Sequence, residues 1–103
     1  MSRISFPGKL LGETVTETFD FTSRLAAAET ISTATVTAVV YSGTDASPSS
    51  IVSGSVTISG QKVTQKITAG TLGVTYLLTC TITTSTSQTL LLEGFLVVIP
   101  NYA

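Results

Sequence analysis

The sequence predicts an all-β fold, a sandwich of about seven antiparallel strands. Three observations carry this. Residues 74–84 alternate, with Tyr76, Leu78, Cys80 and Ile82 on one parity and Thr75, Thr79, Thr81 and Thr83 on the other, Leu77 being the exception; this period of two belongs to a half-buried strand. Similar runs recur at close spacing, divided by turns rich in Gly, Ser, Thr or Asp. No stretch sustains a helical period, and the one helix-favouring run, residues 24–29, is too short to hold a helix by itself. Tyr76 sits near the start of the penultimate strand, the place of a corner tyrosine, so the sandwich is expected to be immunoglobulin-like.

The elements follow in order. Residues 1–12 form an expected extended N-terminal arm, with residues 13–103 as the sandwich. Pro7 keeps Phe6 extended, and Ile4, Phe6, Leu10 and Leu11 are too apolar for an idle tail. The arm therefore packs on its own domain or on a neighbouring subunit. Residues 14–21 are the first strand, with Val15, Phe19 and Phe21 sharing a parity with Glu17. Residues 23–30 turn, and Leu25 is expected to plug the base. Residues 31–41 are the second strand. There Ala34, Val36, Ala38 and Val40 face one way and Thr33, Thr35, Thr37 and Val39 the other; Ile31 falls on the wrong parity, which predicts a bulge near Ser32 and Thr33. Residues 42–50 are a loop. Residues 55–59 and 62–68 flank Gly60-Gln61, a tight hairpin signal, with Val56, Ile58, Val63 and Ile67 towards the core.

The last strand, residues 89–99, breaks the pattern. Leu90, Leu91 and Leu92 are consecutive, as are residues 95–99, whereas a strand with one wet face alternates. Leaving three or four such side chains in water forgoes roughly 1.5–3 kcal/mol each, so a cover is expected from the arm or from another protein. The expected interface residues are Ile4, Phe6, Leu10, Leu11, Leu91 and Leu96. Pro100 ends the pairing.

Composition narrows the function. The chain has 103 residues, 43% hydrophobic and only 11% charged, against roughly 25% charged in ordinary soluble domains. Ser and Thr, about a third of the chain, supply the missing polarity. A surface so poor in charge is weakly defended against association. A net charge of −1 with five scattered basic residues argues against nucleic acid, whose phosphates need neutralising. No apolar run approaches the roughly 20 residues of a membrane-spanning helix, and no signal-peptide pattern opens the chain. Histidine is absent, which removes the usual general base, most zinc sites and any Ser-His-Asp triad. The six carboxylates (Glu13, Glu17, Asp20, Glu29, Asp45, Glu93) show no paired spacing of the kind glycoside hydrolysis needs. Cys80, mid-strand with no cation beside it, reads as a small core residue and not a thiolate. No catalytic residue, metal or cofactor is expected.

The run from Phe19 to Thr37, the segment Gly54-Ser-Val-Thr-Ile-Ser-Gly60 and the run from Ala69 to Thr84 together resemble the fibre-tail adaptors of tailed bacteriophages, small structural proteins of the virion. The similarity spans roughly residues 14–99. It implies a non-enzymatic tail component that joins tail and fibres, present as a homo-oligomer of symmetric copies. Its partners would be other virion proteins (tail, fibre or capsid subunits), with no nucleic acid and no membrane, and it would be made in the host bacterial cytoplasm. A capsid decoration or cement protein would use the same adhesive sandwich, covering the head instead of ringing the tail. A carbohydrate- or receptor-binding module would need clustered exposed aromatics, and the chain has no Trp and three Tyr.

Overall fold

The computed structural model describes residues 4–6 and 8–99; the expectations placed on Pro7 and Pro100 lie outside them. Among the described residues are eight strands: β1 (Ile4–Ser5), β2 (Lys9–Leu10), β3 (Val15–Asp20), β4 (Ile31–Ser42), β5 (Val52–Ser59), β6 (Lys62–Ile67), β7 (Thr75–Thr84) and β8 (Thr89–Ile99). One sheet has the order β1-β8-β7-β4, with β2 on β8 beyond β1; the other has the order β3-β6-β5. The sandwich is as expected. The six longer strands pair antiparallel, and the two arm strands run parallel to β8.

The period of two in β7 explains the core. Tyr76, Leu78, Cys80 and Ile82 are fully enclosed, facing Phe19, Phe21, Val63 and Ile67 of the second sheet within one apolar cluster. On β8 the even residues point inward: Leu92, Leu96 and Val98 are buried, with Gly94 between them. The Cys80 thiol is pushed up to about 12 by burial, which leaves it a packing group. The expected bulge is present as a register shift between Ile31 and Thr33, and it turns Ile31 into the core.

β5 starts earlier than its sequence suggests, and bends. Between Ser53 and Thr57 it carries two more residues than β6 opposite, with Gly54 at φ +73°. The buried Gln65 side chain fills this irregularity and donates to the Ser53 and Gly54 carbonyls at 2.8 and 3.3 Å. Ile58 pairs with the enclosed Val63 but stands on the edge strand and is exposed, contrary to its expected place in the core.

Glu17 faces inward with Phe19 and Phe21, only 8% exposed, and burial raises its carboxyl pKa. A group whose folded pKa is raised stabilises the fold below that pKa and costs stability above it. Glu17→Gln is therefore expected to raise the melting temperature at neutral pH by a few degrees. The gain should shrink as pH falls through the raised carboxyl pKa, followed by thermal melts from pH 7 to pH 4.

Candidate functional site

The arm is built into the sandwich. β1 pairs with β8 in the register Ser5 to Phe95, and β2 in the register Lys9 to Val98. Four steps of arm thus span three steps of β8. The extra residue turns Lys9 inward, where its ammonium donates to the Ala69 carbonyl at 2.8 Å and the Leu10 carbonyl at 3.1 Å. Desolvation by burial lowers the Lys9 pKa, partly offset by Glu13. Phe6 enters the core beside Phe19, ring centroids 5.3 Å apart and nearly perpendicular, and its ring lies over Gly94. The Phe6 amide donates to the Phe95 carbonyl and the Leu11 amide to the Ile99 carbonyl. On β8, ahead of the stretch that the arm pairs with, the Arg24 guanidinium donates to the Leu91 carbonyl at 3.1 Å.

The other face of the same sheet points outward and is apolar at one end. Val39, Leu77 and Phe95 lie in register across β4, β7 and β8. Tyr41 reaches over β7 to Phe95, ring centroids 4.6 Å apart at 62°. Val97 and Ile99 extend the row along β8, with the Gly8 backbone packed beside them. Val39 and Tyr41 are 51% and 60% exposed, and Leu91 and Ile99 also face solvent. Threonines 33, 35, 37, 75, 79, 81, 83 and 89, with Glu93 opposite Thr79, occupy the rest of this face. The patch offers rigid aromatic and aliphatic contact area ringed by hydroxyls, the composition of an interface core with a polar rim.

The sequence-predicted interface residues divide. Leu91 and Leu11 are exposed, Leu91 on the outer face and Leu11 just past β2. Leu10 is half-buried opposite Ile99, and the Ile4 backbone lies opposite Gly94. Phe6 and Leu96 belong to the core and present nothing to a partner. The consecutive apolar run hid which parity of β8 faces in, and only the pairing with β7 settles it. Val39 and Tyr41, missed as candidates, did carry a signal: beyond the bulge at Ile31, Val39 is the one aliphatic residue on the threonine parity of its strand.

At the β6–β7 end, the enclosed Tyr76 hydroxyl accepts the Thr71 amide at 2.7 Å and donates to an Asp45 carboxylate oxygen at 2.6 Å. The contact back to an upstream amide is the one a corner tyrosine makes. At the opposite end Glu29 accepts from the Ala26 amide and the Thr86 hydroxyl, joining the 23–30 turn to the β7–β8 connection. These hydrogen bonds, that from Thr86 first, lower its carboxyl pKa. Both carboxylates are structural ties. A shallow groove of about 350 Å³ on the second sheet, lined by Thr16, Ser53, Ser55, Thr57, Thr64 and Lys66, offers hydroxyls and one ammonium but no base. Among the described residues no group of three or more His, Cys, Asp or Glu is placed to hold a metal ion.

Residues 9–96 match the family described as podophage GP4 fiber-tail adaptor protein gp77. The match covers most of the chain, and the protein belongs to this family. Neither a curated protein nor a solved structure matches it.

Proposed function

We propose, from this membership of a fibre-tail adaptor family, that the protein is a non-enzymatic part of the virion tail that works by burying sheet surface against its neighbours. Copies assemble around the tail and seat the fibre or tail subunits on the outer face of β4, β7 and β8. The observation that carries this reading is the outward apolar row Val39, Tyr41, Leu77 and Phe95, of which Val39 and Tyr41 are exposed and Leu77 and Phe95 half-buried. Fully burying such side chains is worth roughly 1.5–3 kcal/mol each, ample for a joint repeated in several copies. Leu91, with Ile4, Leu10 and Leu11 along the arm edge, extends the contact on the β8 side. The protein is made in the host cytoplasm and ends in the particle.

The test is a Val39→Asp, Tyr41→Ser double variant. Both side chains are more than half exposed, so the purified variant is expected to melt within a few degrees of the wild type. Particles made with it should lack the protein, or the fibres it holds, when imaged by electron microscopy. Tails with a full fibre complement from the variant would overturn the reading, and label on the head lattice would redirect it to a capsid role.

A further inference from the structure

β4 also presents a free edge, beside the outer face that it shares with β7 and β8. The two sheets have four outer edges, and three of them are guarded in ways that discourage strand pairing. The β8 edge is occupied by the arm strands, with Arg24 on the Leu91 carbonyl. The β3 edge carries Glu17 and Asp20, with Glu13 just ahead of it. The β5 edge is bent by its two-residue bulge. β4 has none of these devices. It is the longest strand, has no charge and no proline, and confines its irregularities to its ends, leaving residues 33–40 in unbroken register. An edge strand turns alternate backbone N–H and C=O groups away from its sheet.

The space beside this edge is also short of filling. Ala34 and Val36 face inward, yet they stay half-buried while their cross-strand neighbours Ile82 and Cys80 are fully enclosed. Across the gap, Val52 and Val56 of β5 are half-buried too. Together they line a groove of about 290 Å³ that no charged residue borders. A strand laid against β4 would pair its backbone with that edge and send every second side chain into the groove.

We infer that β4 accepts an extended, uncharged segment of a partner protein, with small aliphatic side chains at alternate positions, as an added strand of the sheet. This is strand addition, in which backbone bonds give affinity and the groove selects side chains. The absence of charge on both walls sets the partner's chemistry, since a charged side chain entering there would be desolvated without compensation. The segment's alternate side chains would occupy the groove, and a second copy offering its own β4 is the occupant that the test below separates from it. This inference is independent of the outer-face joint.

The test uses the full chain and a blocked peptide of alternating threonine and valine, with a matched peptide that has lysine for each valine. In an NMR titration the threonine–valine peptide is expected to shift and protect amides of residues 33–40 and to shift the methyls of Ala34, Val36, Val52 and Val56. The lysine peptide should bind at least about tenfold more weakly. Val56→Lys, on the far wall of the groove, should weaken the first peptide as much; the two-peptide comparison on the wild type decides the matter if that variant fails to fold. Shifts confined to the outer face, no shifts, or equal binding of both peptides would overturn the inference. So would a dimer in analytical ultracentrifugation, held by β4 and undisturbed by the peptide, since it would make a second copy the occupant.

Discussion

Gly94→Val is expected to unseat the arm and cost about as much as deleting the Phe6 ring, roughly 3–5 kcal/mol. A Cβ at position 94 would stand 3.0 and 3.1 Å from Phe6 Cζ and Cδ2, and closer still to Cε2. The ring cannot slide aside, because Phe19 closes it edge-on and the Phe6 amide is tied to Phe95. Losing the ring opens the core at the β8 edge and leaves the backbone pairing with β8 and the enclosed Lys9 to hold the arm. Phe6→Ala and Gly94→Val remove the same contact, so the double variant should cost little more than either single one, a coupling that contacting residues show and distant ones do not. Urea unfolding of the three variants measures it. Additive costs, or a Gly94→Val protein as stable as the wild type, would show that the arm is not held by this ring. A loss of this size lowers the melting temperature of a domain of about 100 residues by more than 10 °C.

The arm also marks where the sequence stops being informative. β7 was legible because its alternation is a local property, and Tyr76, Leu78, Cys80 and Ile82 all lie inside as their parity dictates. Ile31 announced its own bulge in the same way. Lys9 announced nothing: it points inward only because the arm takes an extra residue between two pairings with β8, and a lysine on an arm reads as a solvated charge. Leu96 and Leu91 were indistinguishable in two apolar runs divided by Glu93 and Gly94, and the register with β7 places one inside and the other outside. Ile58 obeys its parity yet remains exposed, because the edge strand runs past the cover of the opposite sheet. The candidate surface was half legible. Its β8 part showed as excess hydrophobicity, while the Tyr41–Phe95 contact joins residues far apart in the chain and existed only once three strands were side by side.

Tyr76→Phe is expected to destabilise the fold by about 1–3 kcal/mol, the cost of removing a buried hydroxyl that bonds both an amide and a carboxylate. The variant keeps the ring that fills the core and loses only the oxygen that joins Thr71 to Asp45. The pH dependence identifies that oxygen as the cause. The Tyr76 hydroxyl first, then the Ser47 amide, holds the Asp45 carboxyl pKa below its usual range. A group whose folded pKa is depressed contributes stability that is present above its unfolded pKa, about 3.9 for aspartate, and is lost as pH falls through the folded value. Wild-type stability should therefore fall through the acid range below about pH 4, and the Tyr76→Phe curve should fall less steeply, with Asp45 titrating nearer its ordinary value by NMR. At the alkaline end the sign reverses. Burial, then the bond to Asp45, raises the Tyr76 phenol pKa, so the wild type loses stability as pH rises above about 10 and the phenylalanine variant is spared that part of the loss. Parallel wild-type and variant curves at both ends would mean that the hydroxyl does not tie the 42–50 loop to the start of β7. Converging curves at both ends would locate the joint between the two sheets' connecting loops in this one oxygen atom.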